Sequence, residues 1–477
     1  MNRLLEVLAQ RRIHLLLACV VLLVLDPNPG SPALPGAVQT AVRAQAGGHP
    51  EAALAALETA VALQPDLPGL HVAAAHAALE AGNGPAALDH LDQADRLLPP
   101  NPERTCLRGI ALQLLGMQSA ALETWQSEAA TCLQQPDILG RMAALALERG
   151  DRRLRLETLT ALSRLEPDNA QVLLDLGISQ AVSDPNLALP HLRAARRLAG
   201  RSQGLASDLI QVILDSENAS QPEYTLAQVG QALARSGHWR EASWAFEHAV
   251  ALEPGYSEAQ AYLGLAYDRV GQDGLSALLA AAAAAPDAPL PQIFLGYHWK
   301  DRRDYDQALE AFTRAGELDP DNPAIAAELG GVYEAMADFV SAKAAFLAAV
   351  DLAPQETGFW SLVAAFSLHN EIEVSTLGLP AARNAVALRP DDPQALDALG
   401  HAHFLLGDRT MAERLLRRAL SIDPLRAETQ LHFGMLRQAE GDPGSALAAY
   451  EIAQRLDAGG SVGEFATRLA QAIAPPS

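Results

Sequence analysis

The most constraining feature of this sequence is a period. From Pro291 to Pro320 the chain reads PQIFLGYHWKDRRDYDQALEAFTRAGELDP, with Leu295, Gly296 and Trp299 at i, i+1 and i+4, and Ala308, Phe312 and Ala315 at i, i+4 and i+7. Both spacings gather apolar residues on one face of a helix, and the break DRRDYD between them, with Pro320 after, predicts two short antiparallel helices. Leu329, Gly330, Tyr333, Ala342, Phe346, Ala349 and Pro354 repeat the order 34 residues on. One such hairpin cannot bury its apolar face alone, so copies must stack, each on its neighbours. A stack of this kind has no fixed size, and the 477 residues say nothing by themselves about the number of globular domains.

The small-then-large order resembles the tetratricopeptide repeat, whose first helix carries Leu-Gly and an aromatic and whose second carries Ala, Phe and a closing Pro. Closing positions fall at Pro65, Pro99, Pro167, Pro254, Pro286, Pro320, Pro354, Pro390 and Pro424, and the last copy closes at Ala458. One further copy, holding Gly109, Leu122 and Cys132, lies between Pro99 and Pro167, and another surrounds Gly177, Leu192 and Ala195. The expectation is an all-α helical-hairpin solenoid, right-handed as the resemblance implies, with twelve repeats between about Gly36 and Ala458. Copies before Gly200 keep Ala53/Leu57/Ala60 and Ala87/Leu91/Ala94 but few aromatics, giving a degenerate array over 37–201 and a regular one over 222–458. The register breaks between them, and Leu205, Leu209, Val212 and Ile213 predict an extra helix in a seam over 202–221. A deletion is expected near Pro286 and an insertion near Glu371 to Thr376. Segment 459–477 carries Val462, Phe465 and Leu469 on one stripe, with Ser461 and Glu464 at capping-box spacing, and is expected to cover the last repeat.

The first 25 residues differ in kind. Arg3, Arg11 and Arg12 precede the apolar run Ile13 to Leu25, and the proline-rich linker 26–36 follows, which is the layout of an export signal. Thirteen helical residues reach only about 20 Å, short of a hydrocarbon core of roughly 30 Å. Leu4, Leu5, Val7 and Leu8 extend the apolar character upstream, so a cleaved signal peptide and a retained membrane anchor both stay open. The body is expected outside the cytoplasm, secreted or tethered by this segment; the alternative is a cytoplasmic solenoid with a buried first helix.

The balance of 35 basic against 57 acidic residues, a formal charge of -22, is the wrong sign for following a phosphate backbone and argues against a nucleic-acid partner. Only two lysines occur, Lys300 and Lys343, and no phosphate-cradling G-x-x-x-x-G-K-[ST] motif is present. No H-E-x-x-H or paired C-x-x-C occurs, and no acid/base pair stands out among the carboxylates. Gly200-Arg201-Ser202-Gln203-Gly204 spells G-x-S-x-G, but a nucleophile elbow needs a strand before the serine, and HLRAARRLA there is helical. Asn218-Ala219-Ser220 matches a glycosylation acceptor, a triplet common by chance. Neither a cofactor nor a catalytic residue is expected.

The resemblance instead implies interaction along the face formed by first helices, which in the family holds a peptide. Carried over by position, that face would include Arg235, Leu265, Arg269, Tyr297, Lys300, His401, Phe404 and Met435. Gln231, Leu265, Tyr297, His401 and Met435 stand where chaperone-tail binders of the family place asparagine, which speaks against that particular ligand. The reading is a non-enzymatic scaffold binding a partner protein or peptide, with an accessory subunit of a separately encoded enzyme, such as a transferase, as the alternative. Oligomeric state is not legible. Cys106 and Cys132 fall at neighbouring ends of one antiparallel hairpin, where either a disulfide or two buried thiols would fit.

Overall fold

A computed structural model describes residues 33–200, 204–217 and 221–473. The signal or anchor segment 1–25, most of the linker 26–36, the middle of the G-x-S-x-G stretch and the triplet Asn218-Ala219-Ser220 lie outside the described residues. The described residues form 27 helices and no strand.

The helices pair as twelve hairpins. They are Leu34–Ala46 with Pro50–Leu63 (hairpin 1), Pro68–Glu80 with Gly84–Leu97 (2), and Pro102–Leu114 with Gln118–Ser127 and Ala129–Cys132 (3). Pro136–Arg149 with Arg152–Leu165 (4), Ala170–Ala181 with Pro185–Ala199 (5) and Pro222–Arg235 with Trp239–Leu252 (6) follow. Then come Ser257–Arg269 with Leu275–Ala284 (7), Pro289–Asp301 with Tyr305–Leu318 (8), and Pro323–Ala335 with Phe339–Leu352 (9). Thr357–His369 with Leu379–Leu388 (10), Pro393–Leu405 with Arg409–Ile422 (11) and Ala427–Ala439 with Pro443–Leu456 (12) complete the series. The seam segment holds the single helix Gly204–Glu217 between hairpins 5 and 6.

Local chemistry sets these boundaries. Prolines 68, 102, 136, 289, 323 and 393 open first helices, where a missing N–H costs nothing. Second helices are capped by Asn83, Asp151, Asp304, Asp338, Asp408 and Asp442, whose side-chain oxygens accept from amides of the first turn. The turn inside a hairpin uses a left-handed residue everywhere but in hairpin 5; Gly407 supplies it in hairpin 11, but Arg303 (φ 62°) and Ala337 (φ 60°) do so in hairpins 8 and 9.

Within eight of the hairpins one contact recurs. A Cβ added at Gly296 would stand 2.6 Å from the Phe312 ring, and one at Gly330 2.7 Å from Phe346. Gly109 meets Trp125, Gly230 meets Phe246 and Gly434 meets Tyr450 in the same way, while Gly177, Gly264 and Gly400 meet leucines. The glycine lets two helices close up, and the large side chain fills the space beside it, so Phe312, Trp125 and Tyr450 are fully buried.

Two hairpins depart from this regularity. In hairpin 10 the inserted residues form the π-helical turn Val374–Gly378 after a left-handed Glu373. In hairpin 3 the second helix breaks at Glu128, and its short remainder is tied back: Cys106 and Cys132 are joined by a disulfide with their Cα atoms 5.4 Å apart. Trp125 Nε1 donates to the Cys106 carbonyl at 3.0 Å, within the apolar cluster around the bridge.

The chain divides into two compact units, one up to His248 and one from Ala249. Inside the second unit successive first helices touch: Ser257–Arg269 reaches Pro289–Asp301, and Thr357–His369 reaches Pro393–Leu405, which reaches Ala427–Ala439. Helix Ser461–Ile473 closes this unit by laying Val462, Leu469 and Ile473 against Leu431, Tyr450 and Ala453. Its opening amides at Val462 and Gly463 are taken by the Asp457 carboxylate at 3.0 and 3.1 Å rather than by Ser461. Among the described residues no helix is long and apolar enough to cross a membrane.

Candidate partner-binding face

The residues assigned to the first-helix face fall into three places. Arg235 belongs to the first unit and is exposed at the end of helix Pro222–Arg235. Leu265, Arg269, Tyr297 and Lys300 come together across hairpins 7 and 8, and His401, Phe404 and Met435 stand on the first helices of hairpins 11 and 12.

In the second of these places the charges are already engaged. Lys300 Nζ pairs with Glu328, one hairpin on, and lies 5.3 Å from the centre of the Tyr297 ring. Arg269 pairs with Asp301 at 3.8 Å, again on the next first helix. Tyr297 and Leu265 pack on the apolar cluster of Ala261, Phe294 and Leu295, and Tyr297 sets its ring edge-on to Phe312 at 5.5 Å. Burial, with the Glu328 carboxylate beside it, pushes the Tyr297 hydroxyl up to about 12. These side chains therefore stitch successive hairpins together as well as lining a face.

The histidines behave alike. His401 stacks on His432 with ring centres 3.9 Å apart, and Phe404 lies 6.3 Å on its other side. Burial, with His432 and His369 nearby, drives His401 down to about 2, so it is neutral at any ordinary pH. His432 Nδ1 meets the Asp397 carboxylate at 3.0 Å. Met435 packs with Leu431 and Tyr450 beneath the terminal helix, and Phe404 with Leu416 and Leu436.

Position alone did not identify an open stretch of this face. Gly331 occupies the place in hairpin 9 that Tyr297 holds in hairpin 8, and a Cβ there would meet nothing within 4 Å. Ala365 and His369 of helix Thr357–His369 are exposed in the next hairpin. Nor did the sequence name the partners Glu328, Asp301, Asp397 and His432. A search for opposite charges about one repeat apart would have found them, since these pairs are separated by 28 to 35 residues.

One donor set could suggest a metal. Asp268, Asp273 and His298 bring ligand atoms within 4.8 Å of one another. The Arg302 guanidinium, however, reaches Asp268 at 3.2 Å and Asp273 at 3.4 Å, and Gly274 N donates to Asp268 at 3.1 Å. A cation of the chain's own already bonds to both carboxylates, and the cluster braces the shortened hairpin 7. The stretch from Gly200 to Gly204 runs between helices Pro185–Ala199 and Gly204–Glu217, without the strand that a nucleophile elbow requires.

The tetratricopeptide repeat family model matches residues 39–102, 301–366 and 393–424. No curated protein matches the chain. Among solved structures, yeast Tom70 is similar at 15% identity over 92% of this chain and 95% of its own, with a TM-score of 0.41. A chain of the APC/C hetero-tetramer Cut9-Hcn1 is similar at 15% identity over 96% and 98%, with a TM-score of 0.44. A tetratricopeptide repeat protein from Parabacteroides merdae is similar at 14% identity over 53% and 99%, also at 0.44.

Proposed function

Taking the chain as a tetratricopeptide repeat protein, we propose that it is a non-enzymatic scaffold, exported or membrane-tethered, that holds a partner protein or peptide along the first helices of hairpins 7 to 12. The repeat fold supports protein binding in general. The observation that carries the particular face is its composition. Its charged residues are engaged in cross-hairpin pairs, whereas Gly331, Ala365 and His369 leave accessible surface between Tyr297 and His401. Such a face favours apolar and backbone contacts over ionic ones.

Two observations support the compartment. The arginine-flanked apolar run at the N-terminus has the layout of an export signal, and the bond between Cys106 and Cys132 suits an oxidising environment. A reporter fused after Ser477 tests this directly: activity only of a cytoplasm-dependent reporter would refute export. The binding reading is tested by affinity capture from the native compartment. Ala365→Arg, on an exposed site, should abolish recovery of a stoichiometric partner while leaving helix content unchanged. Equal recovery with this variant would move binding elsewhere.

A further inference from the structure

One polar tie recurs at the joints between hairpins. Six residues after a closing proline, a side chain on the next first helix donates back to that proline's carbonyl: Gln260 to Pro254 at 2.6 Å, Trp360 to Pro354 at 2.9 Å and Gln430 to Pro424 at 3.1 Å. A carbonyl just beyond a helix has no partner within that helix, and the donor satisfies it. In hairpin 2 the same position holds His71, whose Nε2 lies 2.8 Å from the Pro65 carbonyl. Glutamine and tryptophan donate without titrating near neutral pH; histidine titrates there.

His71 also reaches across its own hairpin. Its Nδ1 stands 3.3 Å from Nδ1 of His90 on the second helix, and the two residues are only 5% and 8% exposed. Nε2 of His71 must carry a hydrogen to bond the carbonyl, so in the neutral pair its Nδ1 is bare and His90 supplies the one hydrogen between the rings. One added proton leaves a single hydrogen on that line, whichever ring carries the charge. A second sets two N–H groups head to head at 3.3 Å.

The surroundings do little to help the pair take up charge. The carboxylates facing it are Glu58 of helix Pro50–Leu63 and Asp89, both exposed; burial and His71 outweigh them and hold His90 below its ordinary value. On the hairpin 3 side, Arg104 and Arg108 are engaged by Asp92 and Asp95. Apolar bulk is also sparse, since helix Pro68–Glu80 buries five alanines and one leucine.

We propose that His71 and His90 form an acid-released latch at the joint between hairpins 1 and 2: the folded pair holds at most one added proton, and the joint opens when the second arrives. Once opened, each histidine titrates near its ordinary value of about 6.5, so below that pH the opened joint binds at least one proton more than the closed one. A histidine held low on folding contributes stability above its unfolded value and loses it as pH falls below that value. The joint is therefore firm at neutral pH and loosens in mild acid.

Hydrogen exchange by mass spectrometry on the full-length chain tests this, with rates corrected for intrinsic pH dependence. Between about pH 7.5 and about pH 5, amides of helices Pro68–Glu80 and Gly84–Leu97 should lose about 30-fold in protection. Helix Phe339–Leu352 serves as reference, because hairpin 9 contains no histidine. His71→Gln combined with His90→Gln places at the joint the residue that hairpins 7 and 12 use there, and should abolish the loss. Exchange at the imidazole C2 carbons of the wild-type chain follows the protons without any substitution, and the pair should gain no more than one by about pH 5. A wild-type chain without the loss, an equal loss in the double variant, or two histidines titrating independently near their ordinary value would overturn the proposal.

Discussion

The two units use the same hairpin but hold it together differently. In the unit from Ala249, Phe312, Phe346 and Tyr450 fill the place beside a first-helix glycine in hairpins 8, 9 and 12, leucines do so in hairpins 7 and 11, and polar pairs join the first helices of hairpins 7 to 10 in turn and of 11 and 12. In the unit up to His248, that place holds an aromatic ring in hairpins 3 and 6, Trp125 and Phe246, and leucines such as Leu91 and Leu192 elsewhere. This unit carries ties the other lacks among the described residues: a disulfide in hairpin 3, and ion pairs from hairpin 4 to a helix some 90 residues later. The cross-links do not stand in for the ring, since hairpins 3 and 6 carry both; they hold a second helix that breaks at Glu128 and one that meets hairpin 4 out of sequence order.

The sharpest way to break this comparison is to remove a ring. Phe312→Ala should cost about 3 to 5 kcal/mol, because a fully buried side chain on a glycine backbone leaves a cavity that its neighbours cannot close. Denaturant unfolding followed by circular dichroism measures it, and a loss below about 1 kcal/mol would mean the ring is not filling the hairpin. Replacing Cys106 and Cys132 together by serine should cost about 3 kcal/mol, from the entropy of a loop spanning 26 residues, and should spare hairpin 8. Exchange rates read separately in hairpins 3 and 8 would show whether the loss is local.

Two adjacent glycines sharpen the point on a smaller scale. Gly330→Ala drives a Cβ to 2.7 Å from the Phe346 ring and should destabilise by about 1 to 3 kcal/mol. Gly331→Ala meets nothing and should be neutral or stabilise by up to about 1 kcal/mol through helix propensity. The smallest effect concerns the turn: Ala337→Gly relieves a left-handed alanine and should gain about 0.5 kcal/mol, the strain relief being partly offset by unfolded-state entropy. Thermal unfolding of these three variants, each against wild type, orders the effects.

His401 gives the second unit a pH dependence of its own. His401 is held far below its ordinary value by burial, so below the unfolded histidine range only the unfolded chain binds its proton. Stability of hairpins 11 and 12 should fall as pH drops below about 6.5, and His401→Leu should flatten that slope. A slope unchanged by the substitution would place the titration elsewhere.

Much of this was legible in the sequence because repeats write their packing at fixed offsets. The Gly296–Phe312 and Gly330–Phe346 contacts follow from one period and from the rule that small faces large. The insertion near Glu371 to Thr376 and the helix in the seam were legible for the same reason, as interruptions of that register. The roles of Lys300 and Arg269 were not: their family positions mark a face, but not the acids Glu328 and Asp301 that reach them from the next hairpin. The seat of helix Trp239–Leu252 was hidden more deeply. Arg155 and Glu241 lie 86 residues apart, and only the path of the chain past helix Gly204–Glu217 brings them together. The state of the two cysteines stayed open because sequence places them at neighbouring hairpin ends but does not fix the distance between their Cα atoms.

The central claim, that first helices of the second unit hold the partner, is tested most directly by site-specific photo-crosslinking in the native compartment. A photoreactive aromatic residue replaces Gly331, Ala365 or, on a second helix, the exposed Glu310. The account predicts one discrete adduct from positions 331 and 365 and none from 310. An adduct from 310 alone, or none from the first-helix positions, would contradict it.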